Sequence, residues 1–577
     1  MSKILLLAGI LALNTAMLCA QSPDAIRLNQ IGFYPKAIKH AVIIGKDVTK
    51  FYVVGTTAKD TVFTGTLTAA IKSPFTEKYS QLADFSSFQK AGKYFIYVPN
   101  VGQSFPFEIK DNIHEEVLKG AIKSYYFQRH SIALTEKYAG KWARKAGHPD
   151  DKVLIHASGV STGRPEGTVI SAPKGWYDAG DYNKYIVNSG ITMNTLLAAL
   201  EDYPNLSQKL NLNIPESGNK LPDLADEILW NLRWMLAMQD PGDGGVYHKL
   251  TNADFDGMEM PSKTIKPRYV VQKSTSAALD FAAVMAQSAR ILPKYKLNKL
   301  ADSCKIAAEN AWKWAEANPA VFYQQEKMNK TFKPAITTGA YGDGRFDDEW
   351  YWAGAELYVL TKDAKYLESV EKYFPKSLPI PSWNQTYALG HYALVNQTKL
   401  PAVASSIVAK CKQQILEQAE KLIENPEKQF YHTVFGNTAR DYMWGSNSHN
   451  ANQGILLLKA NLIAPKQAYL DAALENLDYI LGRNGTGYSF VTGYGSKQVM
   501  HPHHRPSEAD GIVEPIPGLL SGGPNPGQQD HCQYASSVPD ESFVDDVCSY
   551  ASNEIAINWN APLVYLLMGV ENAFKTK

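Results

Sequence analysis

Apolar and polar positions recur with two different periods along this chain, and the change falls near residue 112. From Ile26 to Ile109, short β-rich runs are separated by turn residues: 26–28, 41–44, 51–54, 61–67, 79–85, 94–98 and 105–109. In the last run Phe105, Phe107 and Ile109 alternate with Pro106 and Glu108, the pattern of a strand with one buried face. Short strands at this spacing predict an immunoglobulin-like sandwich of about a hundred residues. Beyond Asn112 the period lengthens. Helical patterns run over roughly 114–136, 185–203, 222–239, 273–292, 296–317, 346–362, 364–374, 384–397, 401–423, 447–463, 466–482 and 552–572, separated by loops rich in Gly, Pro and Asn. Within 222–239, Leu224, Ile228, Leu232 and Met235 share one stripe, with Trp230 and Trp234 beside it. Helices in this number and spacing predict an all-α (α/α)6 toroid. Two connections, 137–184 and 483–551, are too long to be spacers in a compact domain and are expected to carry function.

The chain therefore reads as multidomain, an all-β immunoglobulin-like sandwich over 21–111 followed by the toroid over 112–577, with a leader over 1–20. The leader has a basic start at Met1-Ser2-Lys3, an apolar stretch from Ile4 to Leu18 and a polar break after Ala20, which predicts an export signal cleaved near Ala20. Bulky Leu18 ahead of Cys19 argues against a lipoprotein. A periplasmic, cell-surface or extracellular address stays open. No later stretch is long and apolar enough to span a membrane.

Charge narrows the partner. With 58 basic against 57 acidic residues and no long Lys/Arg run, nothing offers a footprint for nucleic acid, and a neutral substrate fits better. Aromatics make up 11% of the chain, enough for a large core and also for stacking on sugar rings. Cys304, Cys411, Cys532 and Cys548 show no metal spacing, so buried thiols or at most a disulfide or two are expected. A monomer is expected.

Three segments carry candidate chemistry. Gly175-Trp176-Tyr177-Asp178-Ala179-Gly180-Asp181, and Phe543-Val544-Asp545-Asp546 running to Tyr550-Ala551-Ser552-Asn553-Glu554, each set carboxylates beside aromatics. Glycoside hydrolysis needs one carboxyl to protonate the leaving oxygen and another, ionised, to activate water or attack the sugar. Taken alone, an Asp-rich turn beside Trp is more often a capped loop over a core aromatic. The third segment, Ser489 to Lys497 followed by Pro502-His503-His504-Arg505, decides between them. It resembles the first signature of glycoside hydrolase family 9, the inverting cellulases. Phe543, Asp545, Tyr550, Glu554, Ala556, Asn560 and Ala561 resemble its second signature, and Asp178-Ala179-Gly180-Asp181 resembles its nucleophilic-water motif. The order of modules is similar to the cellulase D branch.

The resemblance implies Glu554 as general acid, Asp181 as general base and Asp178 as a second carboxylate holding the water; like-charge pressure from Asp545 is expected to help keep Glu554 protonated. It implies His503 and Arg505 as donors to sugar hydroxyls. Trp176, Tyr247, His248, Trp352, Trp383 and Trp444 are candidate subsite residues. If Ser552 or Asn553 caps the last helix, Glu554 lies in its first turn, where the macrodipole opposes the protonated form a general acid needs. Asp343 and Asp347-Asp348-Glu349 resemble the family's calcium-binding turn, with Asp348 and Glu349 the expected ligands; an acidic helix start is the alternative. No zinc is expected. His501, His503 and His504 are badly spaced for a tetrahedral site, and the family's structural zinc needs two cysteines that are missing near His148 and His156. The chemistry itself needs no cofactor.

The function so implied is a secreted inverting endoglucanase cleaving β-1,4 bonds in cellulose-like, mixed-linkage or xyloglucan chains, as polysaccharide or oligosaccharide. Without a second carbohydrate-binding module, crystalline cellulose is disfavoured. The alternatives are an exo-acting β-glucosidase or glucosaminidase of the same family and a non-catalytic glycan-binding protein.

Overall fold

A computed structural model describes residues 23–575 except 398, 426 and 427. The expected leader over 1–20 lies outside the described residues. The first part consists of β1 (Ile26–Arg27), β2 (Gly32–Phe33), β3 (His40–Ile44), β4 (Lys50–Gly55), β5 (Thr61–Thr66), β6 (Ile71–Lys72), β7 (Tyr79–Asp84), β8 (Gly92–Val98), β9 (Gly102–Gln103) and β10 (Phe107–Ile109). They form two sheets, β1-β3-β7-β6 and β2-β10-β8-β4-β5, with β9 added to β8. Along β8, Tyr94, Ile96 and Val98 are buried while Tyr97 is exposed, as the period of two requires. Phe33, Phe85 and Phe107 fill the interior with ring centroids 5.1–5.5 Å apart.

Among the described residues, one longer helix answers to each predicted helical span: Glu115–Phe127, Ile186–Asp202, Asp223–Ala237, Thr275–Ile291, Asn298–Ala317, Asp347–Thr361, Ala364–Lys372, Tyr387–Val395, Ser405–Leu422, Ser446–Ile463, Gln467–Ile480 and Ile557–Phe574. Every second one, starting with Ile186–Asp202, is buried on nearly all sides. These are the inner helices. The others form the outer ring, and among them Ser405–Leu422 buries a single stripe, Ile407, Cys411, Ile415 and Ala419 at i, i+4 spacing. The result is an (α/α)6 toroid behind a β-sandwich.

Three expectations need correction. The helix predicted over 114–136 stops at Phe127, because the chain reverses through Ser131 at φ 70° while His130 N–H bonds Gly175 O at 2.9 Å. The last helix begins at Ile557 rather than near 552, with Ala556 as its N-cap. The 137–184 connection is not structureless: β11 (Val153–Ile155), β12 (Val169–Ile170) and β13 (Lys184–Tyr185) join β14 (Lys249–Thr251) and β15 (Tyr269–Val270) in a small sheet of order β12-β11-β15-β14-β13. This sheet carries the chain directly out of the Asp178–Asp181 turn.

The sandwich is bonded to the toroid. Gln30 N–H bonds Leu481 O at 3.0 Å, its side-chain amide donates to Gly487 O at 2.8 Å, and its Oε1 accepts from Lys497 N–H at 2.8 Å. Asn29 donates to Asp478 at 2.8 Å. Tyr34, Ala37, Val42 and Leu82 of the sandwich belong to the toroid's apolar core.

Candidate active site

The Asp178–Asp181 turn and the Glu554 segment are stitched together through one glycine. A Cβ on Gly180 would stand 2.1 Å from His503 O, so only glycine allows the approach. Gly180 N–H points at Glu554 Oε1 at 3.3 Å, and its carbonyl accepts from Arg505 Nη1 at 2.8 Å and Arg505 N–H at 3.1 Å. His503 and Glu554 pair as an isolated bridge, and Ile557 N–H bonds Asp178 O at 2.8 Å. Segments far apart in sequence thus converge at one end of the toroid.

Each carboxylate has a distinct environment. Both oxygens of buried Asp178 accept from Asn188 Nδ2 at 3.0 Å, and Oδ2 also accepts from Tyr341 OH at 3.0 Å. Burial, reinforced by the charge of Asp181, pushes the Asp178 carboxyl well above the usual range. Asp181 Oδ2 accepts from Asn183 Nδ2 at 2.6 Å and Tyr185 OH at 3.2 Å, while Oδ1 is buried without a protein partner. Glu554 is half-buried, and burial followed by the charge of Asp181 pushes its carboxyl well above the usual range, against the pull of Arg505. Because Glu554 precedes the helix, the expected opposition from the macrodipole does not arise. A carboxyl biased towards its proton thus lies within electrostatic reach of one whose buried second oxygen has no protein partner.

Other candidates fall elsewhere. Asp545 accepts from Met500 N–H and His501 N–H, both at 2.8 Å, and from Asn553 Nδ2 at 3.2 Å; it braces the loop before His503, and the like charges acting on Glu554 come from Asp181 and Asp178 instead. Arg505 is occupied with backbone, Nε on Asp256 O at 3.0 Å and Nη1 on Gly180 O, so it shapes the turn. His503 Nδ1 pairs with Val547 O at 2.6 Å, and burial lowers its pKa, which leaves a neutral ring at the cleft. Trp176, Trp352, Tyr247 and His248 are fully buried and present no ring face to a sugar. Trp176 packs on Tyr125 at 4.6 Å, and His248 holds Ser274 and Ala340 O.

Two aromatic walls remain. Half-buried Trp383 meets Tyr341 edge-on at 5.3 Å on the Asp178 side. On the Glu554 side Trp444, 43% exposed, lies against Tyr550 at 5.6 Å, and Tyr550 against His503 at 5.9 Å. Tyr341, Asn183, Tyr185 and Asn188 did not stand out in the sequence. Asn188 was signalled only as a polar residue inside an apolar helix. Tyr341 lies among Gly339, Gly342 and Gly344, which mark only a loop in the sequence; its φ of 47° is visible in the structure alone.

Behind this site lies an acidic cluster. Among the described residues no three His, Cys, Asp or Glu side chains stand as a ready-made ligand set. Yet Asp280 Oδ1, Asp343 Oδ2, Asp348 Oδ1 and Glu349 Oε2 are all buried without a hydrogen-bond donor. Burial, followed by the charges of Asp348, Asp280 and Asp343, pushes Glu349 up, and burial with Asp348 and Asp343 does the same to Asp280. Orphaned carboxylate oxygens in mutual repulsion are the donor set a hard cation satisfies. Asp347 is exposed. Cys532 and Cys548 form a disulfide, and Cys304 and Cys411 are buried thiols pushed up to about 12 by burial.

A sandwich ahead of an (α/α)6 toroid with Asp178, Asp181 and Glu554 gathered at its end is the architecture of a glycoside hydrolase. The chain belongs to glycosyl hydrolase family 9, whose profile matches residues 114–567, and residues 21–103 match the cellulase N-terminal ig-like domain. It is 46% identical over 574 residues to the xyloglucan-specific endo-beta-1,4-glucanase BoGH9A of Bacteroides ovatus, covering 98% of this chain and 97% of that protein. Endoglucanase D of Acetivibrio thermocellus is 35% identical, over 96% of this chain and 84% of its own length. The solved structure titled Bacteroides ovatus GH9 superposes with a TM-score of 0.91 at 45% identity, covering 95% of this chain and 99% of that one.

Proposed function

We propose that this chain is an exported inverting endo-β-1,4-glucanase acting on branched, soluble β-glucan, xyloglucan foremost. The observation that carries the chemistry is the pair formed by Glu554, held towards its protonated state, and Asp181, with one oxygen bare in a buried site. Glu554 protonates the departing glycosidic oxygen. Asp181 Oδ1 takes the proton of a water that attacks the anomeric carbon from the opposite face, and Asp178, fixed by Asn188 and Tyr341, orients that water. The walls of Trp383–Tyr341 and Trp444–Tyr550 offer ring faces to successive sugars. Near-full-length similarity to a xyloglucan-specific endoglucanase favours a decorated chain as substrate. Reducing-sugar yield and product size on carboxymethylcellulose, barley β-glucan and xyloglucan test this reading: fastest release of mid-sized oligosaccharides from xyloglucan supports it. Monosaccharide alone supports exo action, and no release supports a binding protein. Proton NMR of fresh hydrolysis should show the α-anomer first.

The acidic cluster supports a structural Ca²⁺ held by Asp280, Asp343, Asp348 and Glu349, fixing the start of the Asp347–Thr361 helix near Tyr341. Bound there, the ion would neutralise the four carboxylates. No step of hydrolysis passes through it, and no zinc is required.

A further inference from the structure

We propose that Asn183 is the positioning residue for the base: its amide pins one oxygen of Asp181, so that the other alone receives the proton from water. The inference rests on the assignment of Asp181 as base and adds to it a reason why one particular oxygen does the work.

The orientation of the Asn183 amide is forced. Its Oδ1 faces two groups that can only donate, Asn252 N–H at 2.9 Å and Arg268 Nη1 at 3.4 Å, and the Thr251 hydroxyl at 3.0 Å. Turned over, its NH2 would meet a backbone N–H and a guanidinium, neither of which accepts. Nδ2 must therefore point at Asp181 Oδ2, where it donates at 2.6 Å. Arg268 is itself fixed, by Asp150 through Nε at 3.1 Å and by Asn252 Oδ1 at 2.9 Å, and Asp150 is paired to Lys184 Nζ at 2.8 Å. Asn183, Asp150, Lys184 and Arg268 are all buried, so the assembly forms a rigid charged mount beneath the turn. With Tyr185 OH as second donor on the same oxygen, rotation of the Asp181 carboxylate is blocked, and Oδ1 is left bare. The backbone of Asn183 separately accepts from Asp178 N–H at 3.1 Å, a bond that side-chain variants keep.

The test compares Asn183→Ala, Asp181→Ala and the double variant on a glucan, with azide rescue and pH profiles. Loss of the pinning donor should lower kcat about 10- to 100-fold with KM little changed, since a small misplacement of a catalytic group has that effect. The ionised base loses a hydrogen bond, so the acidic limb of kcat/KM should move to higher pH. On the Asp181→Ala background with azide, removing Asn183 should change nothing further. Should Asn183→Ala fold poorly, the isosteric Asn183→Asp sets a second carboxylate against Asp181 and should move the acidic limb upward more strongly. An unshifted limb, an unchanged kcat, or additive losses on the Asp181→Ala background overturns the proposal alone. Near wild-type turnover of Asp181→Ala overturns the base assignment together with it.

Discussion

Single side chains divide the labour in this site, and their variants should report it. Glu554→Gln removes the proton donor, so cleavage of a glucan, whose leaving group is poor, should fall by roughly 10²–10⁴-fold. Aryl glycosides with acidic phenols should lose far less, and equal losses on both substrates in a folded variant would remove Glu554 from the acid role. Because burial and Asp181 raise the Glu554 pKa, and activity needs its protonated form, the alkaline limb of kcat/KM should lie well above the ordinary glutamate range, about 4.3. A limb close to that value would contradict the electrostatics described here. Asp181→Ala should recover turnover with azide, which needs no deprotonation, more than Asp178→Ala does. Rescue of the Asp178 variant alone would exchange the two roles.

At the level of elements, the disulfide closes the loop that delivers Glu554. Cys532 and Cys548 stand 16 residues apart, and between and beyond them Asp530 Oδ2 gathers Ser549 Oγ at 2.6 Å, Tyr534 OH at 2.7 Å and Ala551 N–H at 3.0 Å. Replacing both cysteines by serine should remove up to about 3 kcal/mol of loop constraint. Activity should then fail on heating before the helical circular dichroism does; coincident loss would mean that the loop is held without the bridge. Chelation should act differently. If the proposed Ca²⁺ is bound, EGTA should lower the melting temperature by restoring repulsion among Asp280, Asp343, Asp348 and Glu349, and an unchanged melting curve would disprove the site. The helices and longer strands were legible in the sequence because their apolar periods repeat over many residues. β11 to β15 were not, since each is two or three residues long and shows no period. The last helix was started too early because Ser552 and Asn553 look like caps. Their side chains are spent elsewhere, Asn553 on His501 O and Asp545, Ser552 on Ser549 and Tyr534, and this frees Glu554 from the helix. The three carboxylates that the structure gathers, Asp178, Asp181 and Glu554, were visible through the long signatures around them. Which tryptophans lie in the core was not, since a ring that suits a sugar suits the core equally.

Across the whole molecule, the sandwich serves as part of the catalytic body. Gln30 spans the loop that leads to His503, bonding Gly487 O at one end and Lys497 N–H at the other, and Tyr34, Ala37, Val42 and Leu82 complete the toroid's core. Cutting the chain at 112 would uncover that apolar surface and leave buried polar groups unpaired, each worth on the order of 1–3 kcal/mol. The isolated 112–577 segment should therefore aggregate or melt well below the intact chain in calorimetry. Gln30→Ala makes the same point without exposing the interface: it should lower stability by a similar 1–3 kcal/mol and reduce kcat through the His503 loop, with the sandwich still folded. Full stability and activity in the isolated segment would show that the sandwich is a passenger. A Gln30 variant that loses stability but keeps kcat would restrict its role to holding the two parts together.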